Sequence, residues 1–322
     1  MANIVFLHSL SHAEEALWLA RFKLLLPNET VLPIEQINEE QAREIEIAIV
    51  ANPNPELLAR FENLIWIQSL WAGVEGLVAS FNALQGERAQ QMKRVKLVRL
   101  IDPQLAQTMG QAALTWSLYL YRNIPEYAQQ QRDKVWQPLP YEPIENTRVS
   151  VLGAGELGVV ACKVLTEQGF SVNCWSRSEK DIAGVRHFSG EQALVSMLEQ
   201  TDILLCLLPL TDQTKGLLNK QMLSNLPAGG KLINFARGPI VNHSELIELL
   251  DVGHLSFAVL DVFEREPLPV DDTLWQHPKV AILPHISATT SLQSAAQVVA
   301  NNIEQYRVTG DLPVSVDFTQ GY

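Results

Sequence analysis

A chain of 322 residues is long enough for two domains, each with its own apolar core. The hydrophobic share is 47% and the charged share 19%, the balance of an ordinary globular protein, and no apolar run reaches the roughly 18 residues of a membrane span. A formal charge of −12 argues against a nucleic-acid binder, which relies on Lys and Arg against phosphate, and leaves any anionic substrate to be held by local groups.

The first residues, through Leu7, are apolar but lack a basic leader segment, so they predict a strand and a cytoplasmic protein. In the first hundred residues, short β-branched runs alternate with amphipathic ones, the pattern of α/β layers. They predict strands at 4–7, 47–51 and 65–68 and helices at 13–26 and 56–61. The third strand leads into Trp71-Ala72-Gly73-Val74-Glu75-Gly76, a glycine turn where a strand should hand over to a helix. Near Ile101-Asp102-Pro103 the texture changes. Residues 111–122 predict a helix carrying Trp116, Tyr119 and Tyr121. Residues 123–145 are Gln-rich and hold Trp136 and four prolines. They predict an extended arm that wraps a partner subunit, with a solvated linker as the alternative.

From Arg148 to about Pro284 the α/β signal is clean. Strands are predicted at 148–152, 171–175, 203–207, 231–234, 256–260 and 280–283, with helices between most of them. A final helix at 291–306 belongs to a tail too small to fold alone. That tail should pack on the first domain and make it discontinuous. The cysteines Cys162, Cys174 and Cys206 are odd in number and stand in apolar stretches. They read as core residues in a reducing compartment, and no Cys or His spacing suggests a metal.

Val149-Ser150-Val151-Leu152 is followed at once by Gly153-Ala154-Gly155-Glu156-Leu157-Gly158 and a helical run at 159–168. The first glycine makes a tight turn, the second lets the backbone approach a pyrophosphate, and the third lets the helix pack on its strand. The helix N-terminus offers free N–H groups to the phosphates. Set between a strand and a helix, with a second strand on schedule, this loop predicts a dinucleotide site; a purely structural turn is the alternative. The second strand ends in Trp175-Ser176-Arg177-Ser178-Glu179-Lys180, without the acid that binds an NAD ribose. Hydroxyls and a guanidinium suit a 2′-phosphate, so NADPH is the expected cofactor and NAD remains possible. A solvated basic turn is the other reading.

Three further strands should end at Arg237, near Glu266 and at His285, on the ligand side of a parallel sheet. One guanidinium, one acid and one imidazole suffice for 2-keto acid reduction. The first grips a carboxylate, and the imidazolium protonates the carbonyl oxygen while the acid orients it. Taken singly, each residue has a structural explanation; His285 is one of seven histidines.

Together, these segments resemble the D-isomer-specific 2-hydroxyacid dehydrogenase family, and within it the NADPH-dependent glyoxylate/hydroxypyruvate reductases. The resemblance runs from the Ala72-Gly73-Val74 turn to the final helix. It is carried also by Cys174-Trp175-Ser176-Arg177-Ser178, Ala236-Arg237-Gly238, Asp261-Val262-Phe263, Arg265-Glu266-Pro267-Leu268-Pro269, Leu274-Trp275-Gln276-His277-Pro278 and Gly321-Tyr322. It implies Arg237 as substrate anchor, His285 as acid/base and Glu266, in preference to Glu264, as its partner. It also implies that Asp261 contacts the nicotinamide, that Leu208, Pro209, Thr211, Thr214 and Ala236 line the cofactor, and that Ala72, Gly73 and Val74 help hold the substrate carboxylate. Two places depart from the family pattern: Met109-Gly110-Gln111 and Asn242-His243.

The expected architecture is a Rossmann-type doubly wound domain, residues 101–287, inserted into a discontinuous flavodoxin-like α/β substrate domain, residues 1–100 plus 288–322. The active site would lie in the cleft between them. The expected activity is reduction of a small 2-keto acid to the D-2-hydroxy acid by a homodimer. The rivals are an NAD-dependent dehydrogenase of a bulkier D-2-hydroxy acid and a non-catalytic NAD(P)-sensing protein. Side chains near 52–55 and Trp71 would shape the acyl pocket.

Overall fold

A computed structural model describes residues 2–318; the terminal Gly321-Tyr322 lie outside the described residues. The chain divides into two compact units, 1–104 with 290–322, and 105–289.

The first unit is built on five parallel strands in the order β2-β1-β3-β4-β5: β1 (Ala2–His8), β2 (Glu29–Pro33), β3 (Ile47–Ala51), β4 (Trp66–Ser69) and β5 (Lys96–Val98). This is the flavodoxin-like order. Helices α1 (His12–Leu25), α2 (Glu39–Glu44), α3 (Glu75–Ala83) and α4 (Gly86–Met92) connect the strands. A sheet covered on both faces needs apolar residues at every strand position. Accordingly, Val5 and Leu7 join one core with Val78 and Phe81 of α3, while Ile4 and Phe6 join the other with Trp18 and Phe22 of α1. The C-terminal helix α11 (Leu292–Thr309) adds Ala295, Ala296, Val299, Ala300 and Ile303 to that second core. Arg307 then ties it to Glu29 at 2.8 Å and Glu46 at 2.7 Å.

The second unit holds seven parallel strands in the order β12-β11-β10-β9-β6-β7-β8: β6 (Arg148–Leu152), β7 (Ser171–Trp175), β8 (Val185–Phe188), β9 (Ile203–Cys206), β10 (Gly230–Asn234), β11 (Leu255–Leu260) and β12 (Val280–Ile282). Counted from β6, the order is the doubly wound 3-2-1-4-5-6 with a seventh strand at the edge. The order reverses between β6 and β9, where ligands bind in such sheets. Its helices are α5 (Pro103–Tyr121), α6 (Ile124–Asp133), α7 (Glu156–Gln168), α8 (Glu191–Leu198), α9 (Lys220–Leu223) and α10 (His243–Asp251). All three cysteines are buried free thiols, and burial pushes the Cys206 thiol up to about 12. Among the described residues, no helix is long and apolar enough to cross a membrane. Nor do three or more His, Cys, Asp or Glu gather as a metal site there.

Two segments differ from the expectation. Residues 123–145 are not extended throughout, because α6 occupies their first half. Its Glu, Ala, Gln and Arg are good helix formers, and Pro125 stands in the first turn where it costs nothing. Left-handed Asn123 and Lys134 bound it on either side. The helix predicted at 56–61 is a 3-10 turn, Pro55–Arg60, capped by Asn54. The two departures from the family pattern have local reasons. Gly110 lets α5 approach α7, where a Cβ would meet Val160 and Val164 at 3.2 Å. Asn242 caps α10 by accepting from the Glu245 N–H.

Candidate active site

Each glycine of the loop after β6 has its own surroundings. Gly153 has a positive φ of 108°, and a Cβ there would lie 2.8 Å from the Leu207 carbonyl oxygen. A Cβ on Gly158 would stand 1.8 Å from the Gly153 oxygen, so only glycine lets α7 pack this closely. A Cβ on Gly155 would meet nothing within 4 Å, so what requires a bare backbone there is not the protein itself. Among the described residues, no side chain caps the first turn of α7, which begins at Glu156 and Leu157. Open space over Gly155 and an uncapped helix end fit the pyrophosphate of a dinucleotide.

After β7, the Ser176 hydroxyl donates to the Ser178 carbonyl oxygen at 2.7 Å and meets His187 Nε2 at 2.8 Å. Arg177 and Ser178 are exposed. Leu208 and Pro209 follow β9. The Thr214 hydroxyl donates to the Pro209 carbonyl at 2.6 Å and accepts from the Thr211 N–H at 2.8 Å, so its main role in the structure is to close this turn.

Arg237 stands on the turn after β10. Buried Asn234 braces that turn, donating to the Arg237 carbonyl and accepting from the Ala236 N–H, both at 3.2 Å. One arm of the guanidinium donates to the Ala236 carbonyl at 2.6 Å. Gly238 then passes so close to the next loop that a Cβ would lie 1.9 Å from the Phe263 carbonyl carbon. The Phe263 N–H, in turn, donates to Glu266 Oε1 at 2.9 Å. The other carboxylate oxygen, Oε2, meets His285 Nδ1 at 2.7 Å. Glu266, not Glu264, is therefore the imidazole's partner in the structure.

His285 has a left-handed backbone, φ 55°, a conformation that costs about 1–3 kcal/mol outside glycine. Asp261 stabilises it: its carboxylate accepts from Ile286 N–H at 2.7 Å and Ser287 N–H at 2.9 Å, and its carbonyl from His285 N–H. Asp261 is only 2% exposed, so the structure gives it a bracing role that the sequence did not reveal. Asn234 and the Phe263 amide are likewise braces without a sequence signal, since an ordinary strand-end Asn and a backbone group carry none. With Glu266 ionised, Nδ1 donates to it, and Nε2 is left as the group that can carry a proton to a substrate.

Ala72, Gly73 and Val74 belong to the other unit. Gly73 and Val74, with Asn52, Pro53, Pro55 and Trp71, line a cavity of about 240 Å³ beside the start of α3. Ala72 is not among its lining residues.

Residues 114–287 match the family described as D-isomer specific 2-hydroxyacid dehydrogenase, NAD binding domain. The chain is 38% identical over 321 residues to glyoxylate/hydroxypyruvate reductase A of Serratia proteamaculans, covering 99% of this chain and 100% of that protein. Its structure is similar, with a TM-score of 0.90 and 34% identity over 100% of this chain and 99% of the other, to a D-isomer specific 2-hydroxyacid dehydrogenase from Xanthobacter autotrophicus Py2 in complex with NADPH and MES. It is also similar to an NADPH-dependent glyoxylate/hydroxypyruvate reductase of Sinorhizobium meliloti in complex with NADP and sulfate, with a TM-score of 0.87 and 27% identity over all of both chains.

Proposed function

The chain belongs to the D-isomer specific 2-hydroxyacid dehydrogenase family, and within it we propose that this protein reduces a small 2-keto acid of the glyoxylate or hydroxypyruvate kind, with NADPH as reductant. The observation that carries this reading is the braced trio itself: Glu266 on His285 Nδ1 at 2.7 Å, with the Arg237 turn locked against the same loop through Gly238 and Phe263.

The bound nicotinamide cofactor supplies the hydride. Arg237 holds the substrate carboxylate and polarises its keto oxygen, a two-pronged contact that suits a planar guanidinium. His285 delivers a proton from Nε2 to that oxygen as its charge develops. Glu266 keeps the ring in the orientation that presents Nε2. The loop at Gly153, Gly155, Glu156, Leu157 and Gly158 seats the pyrophosphate. Ser176, Arg177 and Ser178 receive the 2′-phosphate, and Leu208, Pro209, Thr214, Ala236 and Asp261 border the rest of the nucleotide. Gly73 and Val74, with Ala72, add backbone donors for the carboxylate.

We infer a homodimer formed through residues 123–145, because Trp136 is 100% exposed and Tyr141 75% exposed on a segment without regular structure after α6. Three buried free thiols suit a reducing, cytoplasmic setting. The test is a screen of small 2-keto acids with NADPH, followed at the nicotinamide absorbance. Turnover of glyoxylate or hydroxypyruvate is the expected result. Tight NADPH binding with no turnover of any keto acid would overturn the reading.

A further inference from the structure

The described residues that line the cavity beside the start of α3 all belong to the first unit. Pro53, Pro55, Trp71 and Leu77 give it apolar walls, and none of the described lining residues is charged. Its polar side chains are Asn52 and Ser80. The Ser80 hydroxyl donates its proton to the Gly76 carbonyl oxygen at 2.7 Å, so towards a ligand it can only accept. The Asn52 side-chain amide makes no hydrogen bond among the described residues, so both its donors and its acceptor are available. The backbone at Asn52 is unusual as well. β3 ends at Ala51, whose carbonyl accepts from the Ser9 N–H at 3.0 Å, and Asn52 then turns left-handed, φ 48°, although Pro53 follows. A residue before proline is normally pushed to extended backbone. On the far side, Asn54 caps the 3-10 turn by accepting from the Glu56 N–H at 3.1 Å. Backbone outliers of this kind persist where the surroundings fix them, and they gather at ligand sites.

We propose that Asn52 is a specificity-determining residue whose amide hydrogen-bonds a hydroxyl on C3 of the keto acid, so that a 3-hydroxy-2-keto acid is favoured over the same acid without the hydroxyl. This rests on the reading of the protein as a reductase of small 2-keto acids whose carboxylate is held at Gly73 and Val74.

Gly73 and Val74 are themselves part of the lining, and α3 begins at Glu75 with no side chain capping its first turn. A carboxylate held there by backbone N–H groups places C3 of its own acid, two bonds away, in the same cavity. The apolar walls suit a methylene. With no cation among the described lining residues, a second carboxylate or a phosphate on C3 would be left uncompensated. A neutral polar substituent is what remains. A hydroxyl both donates and accepts, and a free primary amide answers both needs, with Ser80 Oγ as a further acceptor. Pyruvate would put a methyl group against the amide and leave it unpaired, and glyoxylate has no C3 to reach it.

The experiment measures kcat/KM with NADPH for hydroxypyruvate, pyruvate and glyoxylate, in wild type and in Asn52→Gly. Glycine takes a left-handed backbone without strain, so this variant loses the amide and keeps the turn, which a Tm close to wild type would verify. Hydroxypyruvate and pyruvate differ by one hydroxyl. Wild type should prefer hydroxypyruvate, and Asn52→Gly should cut the hydroxypyruvate-to-pyruvate ratio roughly three- to tenfold, the worth of one neutral hydrogen bond. Most of the loss should appear in KM for hydroxypyruvate, because the contact is made in the ground state as well as the transition state. The greater electrophilicity of hydroxypyruvate cancels when the two proteins are compared. A wild-type ratio at or below one, or the wild-type ratio retained in Asn52→Gly, overturns the proposal and leaves the reductase reading standing. Turnover of none of the three acids by wild type overturns that reading, and the proposal with it.

Discussion

His285 holds its place only because other groups make a left-handed histidine tolerable. Asp261 secures the two amides after it, and Glu266 takes its Nδ1 hydrogen. In the proposed mechanism, replacing the ring removes the general acid, so His285→Ala should lower kcat by roughly 10²–10⁴ while NADPH binding survives. Glu266→Gln keeps the shape of the side chain but removes the carboxylate that holds Nδ1 at 2.7 Å. The ring then loses its charge-assisted hold, so kcat should fall with NADPH binding intact, and wild-type kinetics would reject the pairing. A different histidine contributes to the pH dependence of stability. Burial holds His243 below its ordinary value of 6.5, partly offset by Asp272 and Glu264, and its buried Nε2 has no partner among the described residues. At this residue the unfolded chain therefore binds a proton more readily than the folded one, so its contribution to stability is full above about pH 6.5 and lost as pH falls below it. His243 packs on Phe263, with ring centroids 5.9 Å apart, beside the loop that carries Glu266. His243→Phe should flatten the acid side of a Tm–pH curve; a curve parallel to wild type would remove this residue from the account.

Three glycines in one loop offer a test at the level of the element. Gly155 faces open space at an ordinary negative φ, whereas Gly158 lies against the Gly153 carbonyl. Gly155→Ala should keep the wild-type Tm and weaken dinucleotide binding; Gly158→Ala should lower Tm, because the helix must move off its strand. If Gly155→Ala binds dinucleotide as wild type does, the backbone there is not where the pyrophosphate lies. Central strands β1, β3, β6, β9, β10 and β11 were evident in the sequence as apolar runs, because a strand covered on both faces needs them. Strands β2, β5 and β8 were not, since each lies at a sheet edge where the run is short or broken by Pro33, Lys96, Arg186 and His187. The glycine loop and the residues Arg237, Glu266 and His285 stood out because their chemistry needs particular side chains in order. The braces did not: Asn234, the Phe263 amide and the Asp261 contacts work through backbone geometry that leaves no spacing to find. His187 escaped notice for the same reason as its strand.

In the whole molecule, an acidic chain must hold an anionic nucleotide and an anionic acid through a few fixed cations and amides. Its net charge of −12 gives no general attraction, so in the proposed reading the turn at Ser176, Arg177 and Ser178 carries the discrimination. Assembly is the second property at this scale. Trp136 exposed in full is costly for a lone chain and reasonable at a buried interface. Light scattering at micromolar concentration should give twice the 36.0 kDa of one chain, and Trp136→Ala should shift the mass toward one; a wild-type monomer would contradict the dimer. The most direct test of the central claim compares kcat/KM for NADPH and NADH on the best small keto acid, at one fixed ionic strength. A charge-assisted contact to the 2′-phosphate is worth about 1.5–3 kcal/mol, so NADPH should be preferred roughly ten- to a hundredfold. Equal values, or a preference for NADH, would contradict the assignment of this protein as an NADPH-dependent 2-keto acid reductase.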